Sequence, residues 1–124
     1  MEIKFNNAPL GTPHECRVFM PSDPKGFDLS DLRRFGLNIY PLVKTRVIYP
    51  DQAEEEENNL PQLINYYLDT MNFNPHKDYV VLIGDPLITA ASIFVLGQKV
   101  DSITVLRYDS QSRAYWPFKI SLKQ

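Results

Sequence analysis

The alternation of hydrophobic and polar positions predicts five short β-strands along this chain. The apolar run over residues 79–83 has no polar interruption, which is typical of a strand buried on both faces. The other segments combine β-branched or aromatic residues with turn residues at their ends. We therefore expect strands over residues 16–20, within 38–49, and over 79–83, 102–108 and 114–122.

Two longer segments have the spacing of α-helices. Between Leu60 and Met71, apolar residues recur at intervals of three and four, so they share one face of a helix. A second helix is predicted to begin at Pro86, with Asp85 as its N-cap, and to end at Gly97. This second helix is apolar around most of its circumference, so we expect it to be well buried.

A third and shorter helix is predicted over residues 28–36, where Asp28 caps the start and Gly36 ends it. Strands and helices then alternate along the chain, which favours a largely parallel central sheet. The fold class predicted is α/β: a compact three-layer sandwich with a mainly parallel central sheet and a C-terminal antiparallel hairpin. A two-layer α+β arrangement is the alternative.

The C-terminal hairpin has a period-two pattern that assigns its side chains to two faces. Trp116 alternates in phase with Phe118 and Ile120, which predicts that these three side chains belong to the core. Pro117 lacks an N–H group, so the last strand is expected at an edge of the sheet. The side chains predicted to lie outside are Tyr108, Arg113 and Tyr115.

Composition and charge limit the class of protein. The chain has 124 residues, of which 44% are hydrophobic and 23% are charged, values that predict a single globular domain over residues 1–124. One cysteine excludes an internal disulfide and a four-cysteine zinc site. The start lacks a signal-peptide pattern and no apolar segment is long enough to span a bilayer, so a cytoplasmic location is expected. The net charge of −2 gives no reason to expect nucleic acid or a membrane as partner.

Four segments together resemble a group of small proteins encoded by tailed bacteriophages. They are residues 17–22, 28–36, 79–86 and 103–120, and the most recognisable part is Val-Leu-Ile-Gly-Asp-Pro over residues 81–86. The resemblance implies a phage origin and expression in a bacterial cytoplasm. It implies no activity and assigns no catalytic residue.

The best candidate for a ligand site is the junction between the buried strand and the second helix. In parallel α/β sheets, ligands bind beyond the carboxyl ends of the strands and at helix N-termini. Gly84 and Asp85 occupy that position, and Ser22 and Asp23 follow the first predicted strand, with Lys25 close behind. Parallel strands would bring both segments to one crevice. The alternative is an ordinary capped helix beside a proline-rich turn, because no glycine-rich phosphate loop is present.

Two segments are candidates for docking a protein. One is an acidic run that precedes Pro61 and consists of Glu54, Glu55, Glu56 and Glu57. It has the charge to dock on a basic surface, or it is a solvated helix start that the helix dipole favours. The other is the C-terminal hairpin, where Tyr108, Arg113 and Tyr115 are the candidate contacts. Together with Arg107, Trp116 and Lys119, they are also candidates to stack on single-stranded nucleic acid.

Metal and nucleophile chemistry have little support in the sequence. His14 and His76 are the only histidines, and neither has a partner at metal-ligand spacing. Cys16 lies two residues from His14 at the start of the first predicted strand, so the two side chains would share a face. A buried, inert thiol is the simpler interpretation. We therefore expect no catalytic residue, no metal and no cofactor.

These observations favour a phage accessory protein that is not an enzyme and that binds a host or phage protein. A homodimer formed through an edge strand is compatible with this hypothesis. One alternative is a small-ligand protein that binds or processes a nucleotide or phosphate around Gly84, Asp85, Ser22 and Asp23. The other alternative is a single-stranded nucleic-acid-binding protein.

Overall fold

A computed structural model describes residues 2–23, 26–43 and 53–123, with the side chains of the first helix described from Leu60 onward. Six strands are present in these ranges: β1 (Glu2–Phe5), β2 (Arg17–Ser22), β3 (Ile39–Val43), β4 (Asp78–Val81), β5 (Ser102–Asp109) and β6 (Ala114–Ser121). The helices are α1 (Ala53–Thr70), α2 (Pro86–Lys99) and a 3₁₀ helix over Ser30–Arg34.

The six strands form one mixed sheet in the order β1-β6-β5-β4-β2-β3. The ladders that join β3 to β2, β2 to β4 and β4 to β5 are parallel. The ladders that join β5 to β6 and β6 to β1 are antiparallel. The predicted combination of α-helices with a β-sheet is therefore confirmed. The residues beyond Val43 in the predicted segment 38–49 lie outside the described ranges.

Strand β1 was not predicted, and it changes the position of β6. Because β1 pairs with β6, the prediction that β6 is an edge strand is wrong. The N–H of Asn6 donates to the carbonyl oxygen of Pro117 at 3.2 Å, so the nitrogen of Pro117 also faces β1. The hydrogen bond that Pro117 cannot donate would therefore point towards β1, just beyond Phe5, where β1 ends. The ladder between β5 and β6 loses no hydrogen bond.

The two faces of the sheet are covered differently. Both α-helices pack on one face, over a core cluster that includes Phe19, Val80, Ile103 and Val105. The opposite face carries Val18, Met20, Tyr79, Val81 and Leu106, and it is covered by the 3₁₀ helix together with Leu10 and Cys16.

The direction of the chain across the sheet explains this division. The connection from β2 to β3 moves one way, whereas the connections from β3 to β4 and from β4 to β5 move the other way. Right-handed crossovers in opposite directions place their connecting segments on opposite faces. In the described ranges, α-helices therefore cover one face, and a 3₁₀ helix with irregular chain stands where the three-layer prediction expects an α-helix.

The helix predicted over residues 28–36 is shorter than expected. Asp28 accepts hydrogen bonds at Oδ1 from the N–H and the hydroxyl of Ser30, at 3.0 and 2.7 Å, and so forms a turn before the 3₁₀ helix. Gly36 has a packing role: a Cβ there would lie 2.9 Å from the carbonyl oxygen of Cys16. A side chain at this position would push the 3₁₀ helix away from the start of β2.

Both α-helices differ from prediction in their bounds. Helix α1 begins at Ala53, so the four glutamates belong to its first turns and Pro61 lies inside it. Helix α2 begins at Pro86 as predicted but continues through Gly97 to Lys99. The expectation that α2 is well buried is wrong, because Leu87 and Phe94 on its outer face are exposed. Neither α1 nor α2, the α-helices of the described ranges, combines the length and the apolar content needed to cross a membrane.

A buried carboxylate ties the start of β4 to β2. The two oxygens of Asp78 accept hydrogen bonds from Nε and Nη2 of Arg17, at 3.0 and 2.8 Å. Asp78 also accepts the N–H of Asn74 at 2.7 Å, and the guanidinium group lies over the ring of Phe19. Arg17 and Asp78 are also partners in the ladder between β2 and β4, and without Arg17 the buried Asp78 carboxylate would be left unpaired, which is costly.

Candidate functional site

The junction singled out in the sequence lies where the strand order reverses. From β2 the chain passes to β3 on one side and later returns to β4 on the other side. The carboxyl ends of β2 and β4 therefore meet at a switch point, the usual position of ligand sites in open α/β sheets. Ser22 ends β2 and Gly84 and Asp85 follow β4, so the structure brings these three residues together.

The contacts at this junction are close. The N–H of Asp85 donates to Oγ of Ser22 at 3.1 Å, and Ser22 is buried. Gly84 has a φ of 113°, and a Cβ at this position would overlap with the Ser22 hydroxyl. The glycine thus allows the backbone after β4 to approach the end of β2, which a residue with a side chain would prevent.

The N-terminus of α2 is satisfied by the protein itself. Oδ1 of Asp85 accepts the N–H groups of Leu87 and Ile88 at 2.8 and 3.4 Å, and its carbonyl oxygen accepts the N–H of Thr89 at 2.9 Å. The predicted N-cap is confirmed. A phosphate at this helix start would compete with a carboxylate that already holds the N–H groups. Asp23 is exposed beside the junction, and Lys25 lies outside the described residues.

For the acidic run, the structure describes the backbone only. Glu54, Glu55, Glu56 and Glu57 belong to the first turns of α1. Their side chains lie outside the described part of the structure. Docking through this run therefore stays a prediction.

Near its turn, the C-terminal hairpin buries the face that the sequence predicts to be exposed. Tyr115 is buried, its hydroxyl donates to the carbonyl oxygen of Asp28 at 3.2 Å, and its N–H donates to Oδ2 of Asp31 at 2.7 Å. Burial raises the pKa of Tyr115. Tyr108 packs edge-on against the Tyr115 ring. The expected exposure is thus wrong for Tyr115, because the 3₁₀ helix covers this face, whereas Arg113 is exposed in the turn.

The other face of the hairpin carries an exposed apolar surface. The register sets Val105 opposite Phe118 and Phe118 opposite Phe5, so these side chains share the face on which the α-helices pack. We use the name apolar sheet surface for four residues at the outer end of this face: Ile3, Phe5, Trp116 and Phe118.

Three of these four side chains are well exposed. The exposed fraction is 56% for Ile3, 53% for Phe5 and 41% for Trp116. The prediction that Trp116 belongs to the core is therefore wrong. The core under α1 and α2 is built on strands β2 to β5 and includes Ile120 on β6, as predicted, whereas Trp116 lies four residues earlier on β6, near the hairpin turn.

The rings of the apolar sheet surface are held in place. The centroid of the Phe5 ring lies 6.1 Å from that of Trp116 and 5.5 Å from that of Phe118. Nε1 of Trp116 donates to Oγ of Ser112 in the hairpin turn at 3.1 Å. The register of β5 and β6 places Arg107 opposite Trp116, at the border of the surface.

On the opposite face, β1 and the C-terminal half of β6 are polar. Glu2, Lys4, Lys119 and Ser121 alternate with the apolar residues of β1 and β6. The alternation Glu2-Ile3-Lys4-Phe5 is the sequence signal for β1, at the lower limit of the four to eight residues over which alternation indicates a strand.

Contrary to the sequence prediction, the side chains of Cys16 and His14 do not share one face of a strand. Strand β2 begins at Arg17, so both residues precede it; Cys16 is buried and His14 is exposed. Burial raises the pKa of the Cys16 thiol, which disfavours the reactive thiolate. In residues 2–23, 26–43 and 53–123, no group of three or more histidine, cysteine, aspartate or glutamate side chains is arranged to hold a metal ion.

Comparison with known proteins gives one family. The model of the family described as Phage Pam3 gp32-like protein matches residues 17–122. The match begins at the first residue of β2 and ends just after β6, so it includes both α-helices and five of the six strands. The chain matches no curated protein and no solved structure.

Proposed function

The chain belongs to the Phage Pam3 gp32-like protein family, and from this premise we propose that it is a phage accessory protein that binds a host or phage protein. The proposed action is non-enzymatic and takes place in the cytoplasm of the infected cell. The predicted relationship to small phage proteins is confirmed by the family match. The binding role is our inference from the surface of the molecule.

The observation that carries the proposal is the apolar sheet surface. Three large apolar side chains, those of Ile3, Phe5 and Trp116, are each exposed by two-fifths or more on one face of a sheet. Exposed clusters of this kind mark interaction sites on soluble proteins. Tryptophan is enriched among residues that dominate binding energy, as is arginine, which Arg107 supplies at the border. A binding partner would remove these rings from water.

The small-ligand alternative has weaker support. A nucleotide or phosphate would need free donors at the α2 N-terminus, but Asp85 already accepts the N–H groups of Leu87 and Ile88. The hydroxyl of Ser22 is also engaged, since it accepts the N–H of Asp85. Gly84 therefore serves the packing of this junction, and a bound anion would have to displace the aspartate.

The nucleic-acid alternative also has weaker support. Stacking of single-stranded bases needs exposed rings with several basic side chains beside them. The register puts Arg107 beside Trp116, but it puts Lys119 on the opposite face of β6. Tyr115, which was a candidate for stacking, is buried.

The proposal is tested by partner capture from infected host cells. The wild type and a Phe5→Ser/Trp116→Ser variant are expressed with a C-terminal tag during infection. A matched control is Leu63→Ser/Tyr66→Ser, which removes two exposed apolar side chains from α1. We expect one stoichiometric partner with the wild type and the control, and its loss with the sheet-surface variant.

The affinity of the purified protein for the captured partner is then measured. Calorimetry should show an affinity at least about 30-fold weaker for the Phe5→Ser/Trp116→Ser variant than for the control, the size expected for a binding hot spot. Circular dichroism establishes that each variant is folded. Equal binding by both variants, or no partner at all in infected cells, would refute the proposed function.

A further inference from the structure

The outer edge of β1 has unpaired backbone groups that point away from the sheet. Strand β1 is the last strand on its side of the described sheet. The N–H of Asn6 points to Pro117 on β6, so the N–H and C=O groups of Glu2 and Lys4 also face β6. Those of the alternate residues, Ile3 and Phe5, therefore face outward, and such an edge is a template for another strand.

The side chains of β1 form a charge pattern that is complementary to itself. Glu2 and Lys4 lie on the polar face with 63% and 73% of their side chains exposed, and they form an ion pair with each other at 2.9 Å. When two copies of this strand pair antiparallel about Ile3, each Glu2 stands opposite the Lys4 of the other copy. A shift by two residues sets Lys4 opposite Lys4, or Glu2 opposite Glu2, and like charges at opposed positions repel.

The backbone pattern agrees with the same register. With Ile3 opposite Ile3, the outward N–H and C=O groups of the two residues meet as a hydrogen-bonded pair. The Glu2–Lys4 pairs then occupy the non-hydrogen-bonded positions, where the side chains of opposed residues come closest. A shift by one residue would set apolar side chains opposite charged ones and is excluded by the pleat.

We propose that a second copy of this chain docks on the free edge of β1, in antiparallel register with Ile3 opposite Ile3. The two six-stranded sheets would then form one continuous sheet, and the two apolar sheet surfaces would lie side by side on the same face. The strand has four residues, so we expect a weak dimer with a Kd of about 10 to 500 μM. The dimer does not rest on the proposed function, because Glu2 and Lys4 lie on the face opposite to the apolar sheet surface.

Charge reversal tests the register. Sedimentation equilibrium is measured on the untagged full chain as wild type, as Lys4→Glu, as Glu2→Lys and as an equal mixture of the two variants. Each single variant should self-associate at least about tenfold more weakly than the wild type, because the two-fold axis turns both attractive contacts into repulsive ones. The mixture should associate about as strongly as the wild type, because opposite charges again face each other across the edge.

Three results would overturn the pairing. The first is that the wild type stays monomeric at about 1 mM, where a dimer of this affinity would be populated. The second is that the single variants self-associate as strongly as the wild type. The third is that the mixture associates no better than either variant alone. The mixture is its own folding control, since restored association requires two folded chains. A positive result here with no partner in infected cells would leave the dimer standing and refute the proposed function.

Discussion

Replacing Gly84 with alanine should destabilise the fold, because the added side chain strains the backbone and disturbs a hydrogen bond at the junction between β2 and β4. With a φ of 113°, an alanine here adopts a backbone conformation that costs about 1–2 kcal/mol. Its Cβ would also overlap with Oγ of Ser22, which must then rotate and give up the N–H of Asp85. A lost hydrogen bond of this kind costs about 1 kcal/mol. We therefore expect Gly84→Ala to lower the free energy of unfolding by about 2–3 kcal/mol.

A double-mutant cycle separates the two causes. Ser22→Ala alone should cost about 1 kcal/mol through the same hydrogen bond. Once that hydroxyl is gone, the added Cβ at Gly84 meets the Cβ of residue 22 at 3.5 Å and its carbonyl oxygen at 3.3 Å. The second contact is tight, but it is the same in the single and the double variant. The double variant should therefore cost about as much as Gly84→Ala alone, which is about 1 kcal/mol less than the sum of the single changes.

Urea denaturation, followed by circular dichroism, measures these free energies. Gly97→Ala is the matched control, because nothing lies within 4 Å of a Cβ at that position in α2. It should stabilise the protein by about 0.5–1 kcal/mol through helix propensity. The reasoning is refuted if Gly84→Ala unfolds within about 0.5 kcal/mol of the wild type, or if the costs of the two single changes simply add.

Three further predictions concern side chains that hold the fold. Asp78→Ala leaves the Arg17 guanidinium without its carboxylate and should cost about 3 kcal/mol in urea denaturation; a cost below about 1 kcal/mol would contradict this. Asp85→Ala removes the cap of α2 and should cost about 1 kcal/mol and speed amide exchange in the first turn, and unchanged exchange would refute the cap. The Lys77 ammonium, together with the hydroxyl and the N–H of Thr12, lowers the pKa of Glu15 from 4.5 to about 2. This contribution to stability is complete above about pH 4.5 and is lost as the pH falls towards 2. Lys77→Met should raise the Glu15 pKa in an NMR titration, and an unchanged pKa would refute the pairing.

The elements that could be predicted are those whose own residues determine their structure. The apolar run before Gly84 gives β4, although the strand itself ends at Val81. Asp85 followed by Pro86 gives the start of α2, because a capping carboxylate and a fixed φ act locally. The meeting of Ser22 with Asp85 was also predictable, since the carboxyl ends of neighbouring parallel strands lie at one edge.

The elements that could not be predicted depend on distant parts of the chain. Strand β1 has four residues and exists because β6 offers a free side for pairing. The period-two pattern of β6 correctly separates Tyr115 from Trp116, but it does not say which face is covered. The 3₁₀ helix decides this through Asp31, which accepts the N–H of Tyr115 and so covers that side of the hairpin.

The candidate site was missed for the same reason. Alternation shows that Trp116 shares a face with Phe118 and Ile120, but it does not show how far along the strand that face is covered. On this pattern alone Trp116 is predicted to belong to the core. The extent of the helical layer determines which side chains are covered, since the core under α1 and α2 includes Ile120 on β6 but not Trp116. Only the assembled sheet brings Phe5 from the start of the chain next to Trp116 near its end.

Site-specific photo-crosslinking in infected cells tests the central claim most directly. A photoreactive phenylalanine analogue is introduced at Trp116 in one variant and at Tyr66, an exposed aromatic residue of α1, in another. The account predicts a crosslink to one protein other than this chain from position 116 and none from position 66. Equal crosslinking from both positions, or none from position 116, would contradict a partner on the apolar sheet surface.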